Sequence, residues 1–127
     1  MNFSFNPRAG LIVVRAELTG PGGSGILQLA LDTGATTTLI NVAMLVALGY
    51  DPALSPERTQ VTTGSGVEFV PRVNLQRLTS LGLERYGLQV LAHTLPPTTG
   101  VDGLLGLDFF RGLHLSLDFR EGQLRIG

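Results

Sequence analysis

The chain has 127 residues, enough for one domain with its own hydrophobic core. Hydrophobic residues make up 43% of it and charged residues 15%, with 17 glycines; this composition excludes a disordered tail and favours strands and turns over a solvated helical bundle. The net charge is −1 and the basic residues form no stripe, so no nucleic-acid partner is indicated. The absence of cysteine excludes disulfides, thiolate catalysis and cysteine-bound zinc.

The first predicted elements are strands. Phe3 and Phe5 alternate within residues 1–7, which predicts a short strand or arm with one apolar face. Residues 11–19 have the pattern of the next strand. The Gly20–Gly25 segment then matches the G-x-G-x-x-G pattern of dinucleotide-binding proteins, but a strand follows it where that pattern requires a helix. We therefore predict a hairpin connection here.

The most informative stretch joins an apolar run to a carboxylate in a tight turn. Residues 26–31 are nearly all apolar, which predicts a strand buried on both faces, and Asp32-Thr33-Gly34 follows at once. Asp32 can bond its own following backbone, and Gly34 tolerates backbone angles closed to other residues. A carboxylate at the end of a buried strand needs compensating donors or a neighbour that shares its proton. Asp32 is therefore the candidate catalytic residue, and an ordinary turn is the competing interpretation.

Two short helices are predicted. The first covers residues 41–48, with Asn41 as its N-cap and Gly49 as its stop. The second covers residues 107–111 and ends at Gly112. Neither is long enough to change the prediction of an all-β domain spanning residues 1–127.

A hairpin is predicted between the two helices. Its arms are residues 59–63 and 67–73, both rich in β-branched side chains, and its tip is Gly64-Ser65-Gly66. The glycines predict a flexible tip.

The C-terminal half continues as strands. Residues 73–78 extend the returning arm of the hairpin, residues 80–84 turn, and residues 86–95 form another strand. Residues 113–119 alternate apolar and polar side chains, which predicts a half-buried strand, and residues 123–126 return beside it.

The other reactive residue types give no recognisable site. His93 and His114 lie in predicted strands without a zinc spacing, so both are interpreted as structural. Ser24 and Ser65 lack the G-x-S-x-G context of a hydrolase nucleophile. No metal and no cofactor are predicted.

Two further aspartates could serve as a second acid beside Asp32. Asp102 is more simply a turn residue before Gly103, and Asp108 lies in the first turn of a short helix, where negative charge is favoured. Both remain as alternative partners of lower weight.

The segments Asp32-Thr33-Gly34 and Leu104-Leu105-Gly106 together resemble those of the retropepsin-like aspartic peptidases, in particular their cellular and bacterial members. The resemblance covers residues 11–127. It implies a single-domain acid-protease fold, a closed β-barrel in which the apolar-apolar-Gly strand threads past the catalytic loop, with the predicted hairpin as a flap over bound peptide.

The resemblance also implies roles for individual residues. Asp32 of each chain would hold the attacking water, Thr33 would link the two catalytic loops, and Gly34 would let a backbone N–H approach the carboxylate. The substrate would meet the end of the loop and the tip of the flap, at Ala35, Gly64, Ser65 and Gly66.

One Asp-Thr-Gly per chain implies that an active site needs two chains, so the expected assembly is a homodimer. By resemblance, residues 1–7 and the last strand are candidates for the dimer interface, although an edge strand lying on its own core explains residues 1–7 equally well. Retroviral members have an ion pair that stabilises the dimer. In this chain the corresponding positions are Thr36, Thr37 and Leu107, which cannot form an ion pair. The dimer is therefore expected to be weaker or differently built.

The function that follows is an aspartic endopeptidase acting on peptide or protein substrates. The alternative is a catalytically silent module of the same fold that dimerises or binds peptides. No basic leader and no run approaching about 18 apolar residues is present, so a cytoplasmic location is the default expectation. A segment cut from a longer or anchored precursor would give the same pattern.

Overall fold

The computed structural model describes residues 1–127, except for the side chain of Thr63. The described backbone forms mainly strands, one short α-helix and three 3-10 turns. The strands are β1 (Asn2–Ser4), β2 (Val13–Gly20), β3 (Gly23–Leu31), β4 (Leu39–Ile40), β5 (Arg58–Thr63), β6 (Gly66–Asn74), β7 (Arg77–Ser80), β8 (Leu83–Tyr86), β9 (Gln89–Ala92), β10 (Gly103–Leu105), β11 (Leu115–Asp118) and β12 (Gln123–Ile126). The helix is α1 (Val42–Ala47), and the 3-10 turns are Pro52–Leu54, Pro97–Thr99 and Leu107–Phe110.

The strands form two sheets. Nine of them pair in the order β5-β6-β9-β4-β10-β3-β2-β7-β8, and the other three pair in the order β1-β12-β11. The large sheet curls into a half-barrel. The prediction of an all-β domain is thus confirmed. The barrel is open rather than closed, because its end strands β5 and β8 pair only with β6 and β7 among the described residues.

The hairpin of β2 and β3 carries the catalytic-loop candidate. Leu18 and Leu29 point into the core at 0% exposure, whereas Ile26 is 43% exposed, so β3 is buried on both faces only towards its end. Gly20 pairs with Gly23 across the turn, which confirms the predicted hairpin connection in place of a nucleotide loop. The turn packs on the end of α1, where the Gly22 N–H donates to the Leu48 carbonyl at 2.9 Å.

Helix α1 begins and ends where the sequence predicts, but its first residue is not capped as expected. At the C-terminal end Gly49 has a φ of +91°, and the Tyr50 N–H donates to the Leu45 carbonyl at 3.0 Å. The Asn41 side chain makes no cap bond; its Oδ1 instead accepts the Leu95 N–H at 3.0 Å. Asn41 therefore links α1 to the segment after β9.

The predicted strand over residues 86–95 is divided in the structure. Gly87 has a φ of +68°, and here the chain passes across the segment that contains Leu75. The Gly87 N–H donates to the Leu75 carbonyl, and the Leu75 N–H donates to the Leu88 carbonyl, both at 2.9 Å. Leu75 is 1% exposed, and burying it explains the crossing. The same crossing separates β7 from β6, which we expected to be continuous.

The N-terminal arm lies on its own chain. Phe3 pairs with Leu124 in the antiparallel ladder of β1 and β12. Phe5 continues past the strand to meet Phe119 edge to face, with ring centroids 5.6 Å apart. Within one chain, residues 1–7 therefore form an edge strand that packs on its own core. Within the described chain, no helix has the length and apolar content needed to cross a membrane.

Candidate active site

The end of β3 delivers Asp32 to the rim of the half-barrel, and β10 fixes it there. Strand β10 runs parallel to β3, with Leu105 opposite Leu31, and antiparallel to β4. The Asp32 N–H donates to the Leu105 carbonyl at 2.9 Å, and the Leu107 N–H donates to the Ala35 carbonyl at 2.8 Å. The Asp-Thr-Gly loop and the Leu104-Leu105-Gly106 segment are therefore bonded to each other at both ends of the loop.

Within the loop, the backbone at Gly34 comes close to the Asp32 carboxylate. The Gly34 N–H donates to Asp32 Oδ1 at 2.9 Å, and a Cβ on Gly34 would lie 3.1 Å from that oxygen. The φ of Gly34 is not in the left-handed region, which corrects the backbone-angle reason predicted for it. Asp32 is half-buried, whereas Thr33 and Gly34 are exposed in a single chain.

A buried set of hydrogen bonds supports the loop from behind. Thr38 is 0% exposed, and its Oγ1 donates to Asp108 Oδ1 at 2.6 Å. The Thr38 N–H lies 3.0 Å from both carboxylate oxygens of Asp108, and the Gly106 N–H donates to Thr38 Oγ1 at 3.0 Å. Asp108 thus holds the loop and is occupied as a structural acceptor. No local pattern distinguishes Thr38, which is one of three consecutive threonines.

Gly106 is the point of closest approach between the two segments. A Cβ there would lie 2.8 Å from the Ala35 carbonyl oxygen and 3.0 Å from the Thr38 nitrogen. Both are backbone atoms that the hydrogen bonds already hold in place. This contact explains why a glycine follows the two leucines of the threading strand.

Asp102 is also occupied, and it lies far from Asp32. Its Oδ2 accepts the Gln28 N–H at 2.8 Å. Since Gly103 pairs with Leu29, Asp102 stands opposite Gln28, four residues before Asp32 along β3. Four residues of strand correspond to about 13 Å. Asp102 therefore cannot complete an acid pair with Asp32 in the same chain.

Arg85 is a second supporting residue that sequence reasoning missed. Its Nε donates to the Phe109 carbonyl at 2.9 Å and its Nη2 to the Arg111 carbonyl at 2.8 Å. The guanidinium carbon also lies 5.7 Å from the centroid of the Phe109 ring. Arg85 thereby fixes the 3-10 turn that carries Asp108.

Two shallow depressions flank the Asp32 loop. One, of about 240 Å³, is lined by Asp32 and Thr33 together with Leu11, Leu117 and Phe119. The other, of about 270 Å³, lies on the far side of Gly34 and is lined mainly by half-buried apolar side chains. These include Ala35, Leu39, Leu91 and Leu104, with Thr59 and Val61 of β5 above them.

The hairpin of β5 and β6 forms as predicted, and its two faces can be assigned. Val61 lines the second depression, so we call this side of the hairpin its cleft face. Val61 pairs with Glu68, which places the Glu68 side chain on the same face. Val67 and Phe69 alternate with it, point away from the cleft, and are 53% and 67% exposed. On the cleft face, Glu68 Oε2 lies 3.9 Å from His93 Nδ1.

The tip of this hairpin stands apart from the loop. Gly64, Ser65 and Gly66 are exposed and are absent from the described lining of both depressions, whereas Ala35 and Gly34 lie in one of them. Among the residues that the structure describes, no three His, Cys, Asp or Glu side chains come together as a metal site.

A catalytic-type aspartate loop at the end of a strand, threaded by an apolar-apolar-Gly strand in a curled sheet, defines the retropepsin-like class of proteins. Residues 23–112 match the model of the family described as gag-polyprotein putative aspartyl protease, and the chain belongs to this family. No curated protein sequence matches the chain.

Among solved structures, the chain is similar to a retropepsin-like aspartic protease from Rickettsia conorii. The TM-score is 0.73, and the alignment covers 98% of this chain and 86% of that one. Identity is 17%, so this likeness bears on the fold alone.

Proposed function

We propose that the protein is an aspartic endopeptidase that works as a homodimer, with one Asp32 carboxylate from each chain. The observation that carries the proposal is the construction of the Asp32 loop. Its carboxylate accepts the Gly34 N–H at 2.9 Å, and the backbone on both sides is bonded to residues 105–107. Membership of an aspartyl protease family supports the same reaction.

The requirement for a second chain follows from the chemistry and from the other carboxylates near the loop. Peptide hydrolysis by this route needs two carboxyl groups that share one proton. Asp108 and Asp102 are both bonded to backbone N–H groups, and neither is placed to share a proton with Asp32. A second copy of the chain supplies the missing group when a two-fold axis runs between the two Asp32 side chains.

The two carboxyl groups then divide the work. The ionised one takes a proton from the attacking water, and the protonated one donates its proton to the peptide carbonyl oxygen, which gives a neutral gem-diol. When the diol collapses, the carbon–nitrogen bond breaks: the carboxyl group that took the water proton donates it to the leaving amine, and the other, now ionised, takes the proton of one diol hydroxyl as the carbonyl forms again. The Gly34 N–H steadies the ionised oxygen throughout.

The substrate of this reaction is a peptide or an exposed protein segment in extended form. The apolar depression beside Ala35 accepts a hydrophobic side chain, and Val61 on the cleft face of the hairpin closes over it. Gly64, Ser65 and Gly66 at the tip are assigned to main-chain contacts with the substrate, because the tip carries no bulky side chain to obstruct strand pairing.

The test is cleavage of a diverse peptide mixture, read by mass spectrometry at acidic and neutral pH over a series of protein concentrations. Asp32→Asn should abolish cleavage while the fold is kept, and the matched change at exposed Asp51, Asp51→Asn, should leave it intact. The rate should rise faster than linearly with protein concentration where the dimer dissociates. Cleavage that survives Asp32→Asn would contradict the proposal and favour the silent dimerisation or peptide-binding module.

A further inference from the structure

A third depression adjoins the apolar one that Thr59 and Leu91 line. It has a volume of about 220 Å³, and its lining includes Glu57, Arg72 and Gln89, so we call it the polar depression. Arg72 pairs with Leu91 in the ladder of β6 and β9, and the side chains of directly paired residues lie on the same face of a sheet. The polar depression therefore continues the cleft face.

The spacing of the two depressions equals one side-chain repeat of an extended peptide. Gln89 precedes Leu91 by two residues on one wall, and Glu57 precedes Thr59 by two residues on the other. Side chains two residues apart on a strand share a face and lie about 6.6 Å apart. An extended peptide with an apolar side chain in the first depression thus directs its next side chain on that face into the polar one. Since no residue from Asp32 to residue 37 lines the polar depression, this side chain lies further from the reacting bond.

The polar depression contains a chain of hydrogen bonds with two different ends. Arg72 Nη2 donates to Gln89 Oε1 at 2.6 Å, and Gln89 Nε2 donates to Glu57 Oε2 at 3.1 Å. The remaining N–H groups of the Arg72 guanidinium and the second carboxylate oxygen of Glu57 make no hydrogen bond to other described side chains. The amide of Gln89 therefore holds a hydrogen-bond donor and a hydrogen-bond acceptor beside each other.

A carboxamide is the side chain that matches both ends of this chain of bonds. Its carbonyl oxygen accepts from Arg72, and its NH₂ group donates to Glu57. A lysine or a glutamate would meet the opposite charge at one end and a like charge at the other, and an aliphatic side chain would leave both ends without a partner. Asp51 also lines the depression, but its side chain bonds to none of the three residues.

We propose that the polar depression is a specificity subsite for glutamine or asparagine, two residues beyond the apolar residue of the substrate and further from the scissile bond. Arg72 and Glu57 contact the substrate side chain, and Gln89 is the positioning residue that holds them. The inference rests on the proposed function and deepens it, because it names a second side chain of the peptide that the cleft recognises.

The test measures peptide binding separately from cleavage. The Asp32→Asn protein keeps the cleft and lacks the reacting carboxylate, and it is offered a displayed library of peptides in which one leucine is fixed and the neighbouring positions are random. Glutamine or asparagine should be enriched two residues to one side of the leucine. In a synthetic peptide from this set, replacing that glutamine with leucine, glutamate or lysine should weaken binding about tenfold, as expected for the loss of two partly exposed hydrogen bonds.

Three further changes in the Asp32→Asn background separate recognition from a purely structural role. Glu57→Gln removes the negative end, so the preference should move from glutamine to glutamate, which Arg72 then binds unopposed. Gln89→Met breaks the chain of hydrogen bonds and should abolish the preference; if it prevents folding, Glu57→Gln still decides, because Glu57 is exposed. The matched control is Gln60→Met, since Gln60 pairs with Phe69 on the opposite face of the same hairpin and should have no effect.

Each outcome decides the matter. A preference for glutamine or asparagine that responds to Glu57→Gln and not to Gln60→Met supports the inference. Enrichment of lysine or glutamate instead, a preference that Glu57→Gln leaves unchanged, or no enriched residue at this position would overturn it. Cleavage of the same peptides by the wild type separates the two proposals. The binding preference without any cleavage defeats only the proposed function, whereas Asp32-dependent cleavage without the preference defeats only the subsite.

Discussion

Thr38 and Asp108, separated by 70 residues in the sequence, are joined by a 2.6 Å hydrogen bond between Thr38 Oγ1 and Asp108 Oδ1. The same hydroxyl accepts the Gly106 N–H, so one threonine connects the Asp32 loop, the threading strand and the 3-10 turn. The loop that carries Asp32 is thus supported by a side chain that bonds to the Asp108 carboxylate and not to the Asp32 carboxylate.

Thr38→Val should destabilise the protein by about 1–3 kcal/mol, because the change keeps the shape but leaves Asp108 and the Gly106 N–H without their buried partner. Denaturant unfolding measures this difference. The control is Thr36→Val, at an exposed threonine of the same loop, which should stay within about 0.5 kcal/mol of the wild type. Equal effects of the two changes would show that the buried hydroxyl contributes nothing.

Gly106→Ala should cost about 1–3 kcal/mol or prevent folding, since the new Cβ would lie 2.8 Å from a backbone carbonyl oxygen. Gly10→Ala is the comparison, because a Cβ at Gly10 meets nothing within 4 Å. Thermal unfolding of the two variants should therefore differ clearly. A Gly106→Ala protein as stable as Gly10→Ala would contradict the close approach.

Gly34→Ala should reduce activity much more than stability. The added Cβ would lie 3.1 Å from Asp32 Oδ1 at an exposed position, where the loop can shift without opening the core. A displacement of the carboxylate by a fraction of an ångström to about 1 Å lowers kcat/KM by up to about 100-fold. The measurement is kcat/KM on a cleaved peptide beside the free energy of unfolding, and a parallel loss of both would refute it.

Val61→Thr and Val67→Thr should separate the two faces of the hairpin. Val61 lines the depression beside Ala35, whereas Val67 points outward and is 53% exposed. Substituting a hydroxyl for a methyl on the cleft face should raise KM for peptides with an apolar side chain at that site, and the outward change should leave KM unaltered. An equal response to the two substitutions would overturn the assignment of the faces.

We expect the folded protein to lose stability at alkaline pH because of Tyr50. Burial raises the pKa of its phenol, against a smaller opposing effect of the bond from the Gln76 N–H. The folded state therefore holds this proton more tightly than the unfolded chain, whose tyrosine titrates near pH 10. The contribution of protonated Tyr50 to the free energy of unfolding is complete below pH 10, and it is lost as the pH rises through the higher pKa of Tyr50 in the folded state.

Tyr50→Phe provides the check. It removes the bonds to the Thr19 carbonyl and the Gln76 N–H, so stability at neutral pH should fall by about 1–3 kcal/mol. In this variant the additional loss above pH 10 should be smaller than in the wild type. The matched control is Tyr86→Phe, at a tyrosine that is 67% exposed.

Short-range patterns predicted the local elements well. Apolar and polar patterning predicted β2 and β11, a turn predicted the return into β12, and glycine placed the end of α1, because these signals depend on neighbouring residues alone. The division at Gly87 was missed, since it depends on burying Leu75 under a crossing chain. Asn41 was misassigned for a similar reason: its partner, Leu95, lies 54 residues away.

The candidate site could be predicted only in part. Two short motifs identified Asp32 and the segment that approaches it, but Thr38 and Arg85 act through single side chains whose partners are distant in sequence. Thr38 is one of three consecutive threonines, and no local pattern distinguishes the buried one. We expected a glycine at position 34 because of its backbone angles, but the structure explains it by the short distance to Asp32 Oδ1. Such a distance can be seen only in three dimensions.

The bond from the Asp32 N–H to the Leu105 carbonyl also has a consequence for the order of events during biosynthesis. The strand that orders the aspartate loop is synthesised more than seventy residues after the loop itself, since Leu105 follows Asp32 by that distance in the sequence. Loops of this length close slowly compared with local hairpins. A nascent chain therefore carries Asp32 in an unassembled loop until residues 103–107 have been synthesised and can bond to it.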